Sequence, residues 1–234
     1  MEIYMAIQLR TTSDITLSGV KILVYGESGA GKTRLCATAP APIILSAEAG
    51  LLSLQGTDIP YIEIKSIEDL YEAYTWLLSE QASQFQTVCL DSISEIAEVV
   101  LANAKKENKD PRKAYGDLAD RMADVIRYFR DIPNKNVYFS AKLEKVKDDN
   151  TGVTYYVPSA PGSKVGISLP YFFDEVLALR VGKDEDGTIT RMLQCIPDGI
   201  FTAKDRSGRL AQWEEPNLSH IINKIGGRDE AITE

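Results

Sequence analysis

Residues 26–33 read GESGAGKT and satisfy the pattern G-x-x-x-x-G-K-[S/T] at every fixed position. This loop constrains the fold because it works only between a strand and a helix. Both flanks comply. Residues 21–25 (KILVY) predict a buried strand, and residues 32–39 predict a short helix stopped by Pro40 and Pro42. The glycines let the chain wrap closely and aim N–H groups at phosphate oxygens, helped by the helix start. Gly26, Glu27, Ser28, Gly29, Ala30, Gly31, Lys32, Thr33 and Arg34 are therefore the expected triphosphate-binding set. Lys32 is expected to reach the β and γ phosphates, and Thr33 to offer its hydroxyl to Mg²⁺.

Further apolar runs predict strands at 43–46 (IILS), near 60–64 (YIEI), at 87–91 (TVCLD) and at 136–141 (NVYFSA). Between them, 67–80 carries Leu70, Tyr74 and Leu77 at helical spacing, and 92–131 reads as helical with a break at Pro111. Strands alternating with helices imply a parallel sheet covered on both faces. After residue 142 the texture changes. Turn signals at 148–152 (DDNTG) and 184–187 (DEDG) separate strand-like runs, so the last third is expected to be rich in β hairpins. The predicted fold class is α/β, a P-loop NTPase with a mostly parallel central sheet flanked by helices. Residues 1–225 are read as a single domain, and 226–234 as a polar, frayed tail.

Asp91 closes the TVCLD strand, where a carboxylate faces the phosphate loop across the sheet's carboxyl edge and orients the Mg²⁺ shell. Capping the following helix is its other available role. A GTPase would show D-x-x-G here and an N/T-K-x-D loop later. Asp91 is followed instead by Ser92-Ile93-Ser94, and neither 141–144 (AKLE) nor 202–205 (TAKD) fits the second pattern. GTP is thus disfavoured; ATP is the expected nucleotide, with Mg²⁺ as its companion, while no residue of the sequence marks an adenine-reading site.

Composition removes other classes. The net charge of −8 disfavours binding nucleic acid over the whole surface, though not a local basic track. One histidine, His220, leaves no room for histidine triads or histidine-rich metal sites. Cys36, Cys89 and Cys195 lack ligand spacing and read as buried hydrophobes in a reducing compartment. No apolar run approaches the ~18 residues of a membrane span. The opening MEIYMAIQLR has no apolar signal core. The expected location is cytoplasmic, with no membrane partner.

Three phrases extend the motif into a family resemblance. IILSAEAGL (43–51), TVCLDSISEI (87–96) and NVYFSAKLEK (136–145) resemble the corresponding strand ends of RecA-like ATPases. With TTSDITLSGVKILVYG, YFFDEVLALR (171–180) and TAKDRSGRL (202–210), residues 10–215 resemble the phage RecA-like ATP-binding proteins described as single-strand annealing proteins. The resemblance implies several roles. Glu48 would activate or orient the attacking water, a role that suits a carboxylate. Ser140 and Lys142 stand where a glutamine would be expected to sense the γ-phosphate. Lys204 and Arg206 would complete a neighbouring subunit's ATP site, although a charged turn such as KDR also reads as ordinary solvated surface.

The family also places a DNA-binding loop after the strand at 136–141. There Lys145 and Lys147, with Tyr155 and Tyr156, could track phosphates and stack bases, or form an ordinary solvated hairpin. Residues 105–113 carry five cations against two acids and are a second, weaker basic stretch.

The resulting expectation is an ATP-dependent recombination protein that binds single-stranded DNA and promotes annealing or strand exchange. It would work as a homo-oligomeric ring or filament, with a single-strand-binding protein as a further partner, in the bacterial host cytoplasm if phage-encoded. A P-loop kinase acting on a small molecule and a nucleotide-dependent scaffold without a DNA role are the competing readings.

Overall fold

The computed structural model describes residues 18–48 and 51–227. Six parallel strands form the centre of its sheet: β1 (Lys21–Gly26), β2 (Pro42–Ser46), β3 (Tyr61–Glu63), β4 (Thr87–Asp91), β5 (Asn136–Lys147) and β7 (Glu175–Lys183). Their order across the sheet is β7-β1-β5-β4-β2-β3. Antiparallel strands extend it: β6 (Thr154–Ser159) on β5, β8 (Ile189–Gln194) and β9 (Lys204–Asp205) on β7, and β10 (Trp213–Glu214) on β8. The fold is therefore the expected α/β arrangement, parallel at its centre and bordered by hairpins.

Continuous apolar strands make sense because both sheet faces are covered. Leu23, Tyr25, Leu45, Leu90 and Phe139 point to one face. There they meet α2 (Ile67–Leu77), α3 (Ile93–Glu107), α4 (Pro111–Arg130) and α5 (Ser163–Phe172). Ile22, Val24, Ile44, Cys89 and Tyr138 point to the other, against α1 (Lys32–Cys36) and α6 (Leu218–Gly226).

Local chemistry sets the helix starts. Ser66 and Asp69 form a reciprocal capping box on α2, and Ser92 caps α3. Asp110 caps α4 with Pro111 in its first turn, and Asn217 caps α6. Cys36, Cys89 and Cys195 are buried and free.

Besides the helix expected over 67–80, which ends at Leu77, the structure departs from the sequence reading in three places. First, the helix expected over 32–39 ends at Cys36, because the amides of Ala37, Thr38 and Ala39 tighten into bonds three residues back. Second, the strand expected to end at 141 runs to Lys147, since β6 supplies hydrogen bonds for its second half. Third, α5 lies in the last third, where β hairpins are expected: despite Gly166 and Pro170 it is helical, with Val165 and Leu169 buried against the core.

The proposed domain end at 225 falls inside α6, which continues to Gly226. Residues 228–234 of the expected tail, 1–17 of the opening and 49–50 of the IILSAEAGL phrase lie outside the described residues.

Candidate active site

β1, β2 and β4 all end at the same carboxyl edge of the sheet, so the segments that follow them converge. The phosphate loop leaves β1, Ala47 and Glu48 leave β2, and Asp91-Ser92 leaves β4. β5 lies between β1 and β4 and carries Tyr138 and Ser140 beneath the junction. Gly26 must be glycine, because a Cβ there would come within 2.9 Å of the Leu179 carbonyl oxygen on β7. Gly31 adopts a φ of 109°, a region that disfavours any side chain.

Lys32 folds back on its own loop, its Nζ donating to the carbonyls of Gly26 and Glu27, both at 2.9 Å. Burial lowers its pKa, against the opposing pull of Asp91 and Glu48. The buried Tyr138 hydroxyl donates to the Lys32 carbonyl at 2.8 Å and braces the loop from below.

Asp91 is only 3% exposed, and both of its oxygens are engaged. Thr33 Oγ1 donates to Oδ2 at 2.7 Å, and Ser140 Oγ donates to Oδ1. Ser140, fully buried, is thus spent on positioning Asp91. Lys142, the other residue expected at that strand end, lines the cavity and forms an ion pair with Glu95.

Glu48 is held twice. Ser92 Oγ donates to its Oε1 at 2.8 Å, and Ser46 Oγ donates to its backbone carbonyl at 2.8 Å. Ser92 also accepts from the Glu95 amide at 3.3 Å as the α3 cap, and the Asp91–Ser92 peptide that precedes it is cis.

Lys32, Thr33, Glu48, Asp91, Lys142 and Arg191 share one open cavity of about 860 Å³. Its dimensions suit a nucleotide. With its proton given to Asp91, the Thr33 hydroxyl turns a lone pair outward, and the two oxygens make a hard-donor corner suited to Mg²⁺. Among the described residues no cluster of three or more His, Cys, Asp or Glu side chains is placed to hold a metal. A cation fits here through Thr33, Asp91 and phosphate oxygens.

Lys204 and Arg206 lie elsewhere. β9 pairs with Glu175 and Val176, which stand beside Ile22 and Leu23 near the amino end of β1, whereas the phosphate loop leaves the carboxyl end. Lys204 Nζ donates to the Pro170 carbonyl, and Arg206 pairs with Asp174 at 3.1 Å. Neither belongs to this chain's own cavity.

The β5–β6 hairpin carries the expected DNA residues and rises from the carboxyl edge, so it stands beside the phosphate loop. Lys145 Nζ lies 3.7 Å from Glu27 Oε1 and 5.6 Å from the Tyr156 ring centroid. Tyr156 stacks on Phe201 with centroids 4.2 Å apart, and Arg180 covers Phe201 at 3.5 Å. Lys147 is exposed and Tyr155 half-buried. In the weaker basic stretch, Lys105 sits 5.6 Å from the Tyr115 ring centroid, and Glu107 pairs with Arg121 of α4.

Arg191 escaped the sequence reading. It stands on β8, 161 positions from Ala30 in the chain, with no local pattern to mark it.

A family model described as AAA domain matches residues 18–207. No curated protein sequence matches the chain. Among solved structures, a KaiC-like protein from the hyperthermophilic archaeon Pyrococcus horikoshii OT3 is similar at 13% identity, covering 75% of this chain and 78% of that one with a TM-score of 0.43.

Proposed function

From the premise that this chain belongs to the AAA domain family and is a P-loop ATPase, we propose that it couples ATP hydrolysis to the handling of single-stranded DNA in recombination, by annealing or strand exchange. The observation that carries the DNA side of this reading is the contact of the lysine- and tyrosine-bearing β5–β6 hairpin with the phosphate loop, Lys145 beside Glu27 at 3.7 Å. A strand bound along the hairpin competes for Lys145 and so acts directly on the loop that holds the phosphates. The phage-type resemblance over residues 10–215 gives the reading its biological class.

In this mechanism Lys32 leaves the carbonyls of Gly26 and Glu27 for the β and γ phosphates. Mg²⁺, when bound at Thr33 and Asp91, neutralises charge on the phosphate oxygens. Glu48, fixed by Ser92, orients the attacking water and accepts its proton. Ser140 keeps the Asp91 carboxylate turned toward Thr33. Lys204 and Arg206, remote from their own cavity, serve the cavity of a neighbouring copy, which makes the working species a homo-oligomer. A single-strand-binding protein is a further partner on the same DNA in this reading.

The test is ATP turnover measured with and without single-stranded DNA across a salt series, with Lys32→Ala as the blank. DNA-stimulated turnover together with salt-sensitive DNA binding supports the proposal. Turnover indifferent to DNA, phosphoryl transfer to a metabolite, or nucleotide binding without turnover overturns it.

A further inference from the structure

Among the described residues, Arg191 is the one cation of the cavity that comes from the β7–β8 hairpin. In the β7–β8 ladder it lies opposite Val181, two residues from the Leu179–Leu193 pair that packs on the α1 side. The register therefore sends it toward the phosphate loop. Its Nε donates to the Ala30 carbonyl at 3.0 Å. Its side chain lies flat against Gly31, where an added Cβ would meet Arg191 Nε at 3.6 Å and Cδ at 3.7 Å.

Two further observations bear on what this side chain does. Arg191 is exposed and, among the described residues, forms no salt bridge. Asp184, an acid of its own hairpin, is occupied by accepting from the amides of Asp186 and Thr188. Arg191 also lines a second cavity, of about 490 Å³, which shares Gly31, Arg34 and Ser53 with the first. That second space has apolar walls (Leu35, Leu54, Leu179, Pro216) and polar edges (Gln55, Thr57), the mixed lining that suits an aromatic heterocycle. Arg34, likewise without an ion pair among the described residues, stands at the same neck. Two guanidinium groups without an ion pair among the described residues, at the junction of a phosphate cavity and a flat apolar one, favour an anion between them.

We propose that Arg191 is a nucleotide-positioning residue supplied within the chain by the β7–β8 hairpin. It holds the loop through Nε and presents its two terminal nitrogens to the α-phosphate side of a triphosphate whose nucleoside fills the smaller cavity. The proposal rests on the nucleotide-binding reading above and adds to it the residue that aligns the triphosphate between the two cavities.

The test compares Arg191→Ala, Arg191→Lys and Arg191→Gln for binding of ATP, ADP and adenosine by the otherwise intact chain. Melting of each nucleotide-free variant serves as the folding control. Losing a charge-assisted hydrogen bond weakens ATP and ADP binding by about ten- to a hundredfold in the alanine variant and flattens its salt dependence, while adenosine binding changes little. Lysine restores part of the affinity. Glutamine, which keeps a donor for the Ala30 carbonyl but no charge, does not.

Equal ATP affinity in parent and alanine variant overturns the proposal. So does rescue by glutamine with none by lysine, which would reduce Arg191 to a loop tether. A parent chain that binds no nucleotide at all would instead sink the underlying reading.

Discussion

The Ser92 hydroxyl donates to Glu48 Oε1 at 2.8 Å and joins two strand ends that stand 44 positions apart in the chain. The bond fixes a half-buried carboxylate in the cavity that Thr33 and Asp91 also line. A base held in place needs no reorganisation when water arrives, which is how positioning becomes rate. Glu48→Gln should therefore retain nucleotide binding and lose about 10²–10⁴-fold in turnover. Ser92→Ala should lose part of that turnover, with a stability cost of about 1 kcal/mol from the missing α3 cap. Steady-state turnover beside equilibrium nucleotide binding checks both; unchanged turnover in Glu48→Gln would remove Glu48 from the chemistry.

Asp91 accepts from two hydroxyls, and their loss should be graded. Asp91→Asn should raise the Mg²⁺ concentration needed for half-maximal turnover by at least tenfold, because a neutral amide replaces the carboxylate that accepts from Thr33. Ser140→Ala should raise it less, since one oxygen of Asp91 keeps its Thr33 contact. A Mg²⁺ titration of turnover in the three proteins reads this directly. Identical curves would show that Asp91 only braces the fold.

Arg206 pairs with Asp174 on the surface, at the sheet edge away from its own phosphate loop. If it serves a neighbour, Arg206→Ala binds nucleotide like the parent and loses about 10³-fold or more in turnover. Mixing it with Lys32→Ala protein should recover activity, because each supplies what the other lacks at a shared interface. No recovery in the mixture, or parental turnover in the single variant, would end the shared-site idea.

Glu175 provides a pH dependence beneath the same turn. It is 1% exposed, one carboxylate oxygen lacks a hydrogen-bond partner, and it lies opposite Asp205 in the β7–β9 pair. Burial, reinforced by the charge and hydrogen bond of Asp205, pushes its pKa up to about 8. The folded chain thus holds this proton more tightly than the unfolded chain, whose carboxyl titrates near 4.5. Its contribution to stability is complete below that lower value and is lost as pH rises through about 8. Glu175→Gln should remove this decline, so the variant gains on the parent between pH 5 and 8 in urea midpoints. A constant difference across that window would contradict the assignment.

Much of the site was legible because it is contiguous. Residues 26–33 encode their own backbone path: glycines where a Cβ clashes or φ turns positive, then a lysine and a threonine set by the loop. Asp91 was legible as the end of an apolar strand, and Glu48 from a phrase carried by resemblance. The helix starts at Ser66, Ser92 and Asp110 follow from side-chain capping, which is also local.

Which of these groups meet is set by the packing of the strands. Placing β5 between β1 and β4 assigns Ser140 to Asp91 and leaves Lys142 at the cavity. The β7–β8 register sends Arg191 onto the phosphate loop, and the β7–β9 pairing carries Lys204 and Arg206 to the opposite edge. Even α5, written in proline and glycine, is a helix because burial of Val165 and Leu169 outweighs its weak propensity. Periodicity records which face of an element is apolar. It does not record strand order, and strand order selects the partner of every polar group at the sheet's edge.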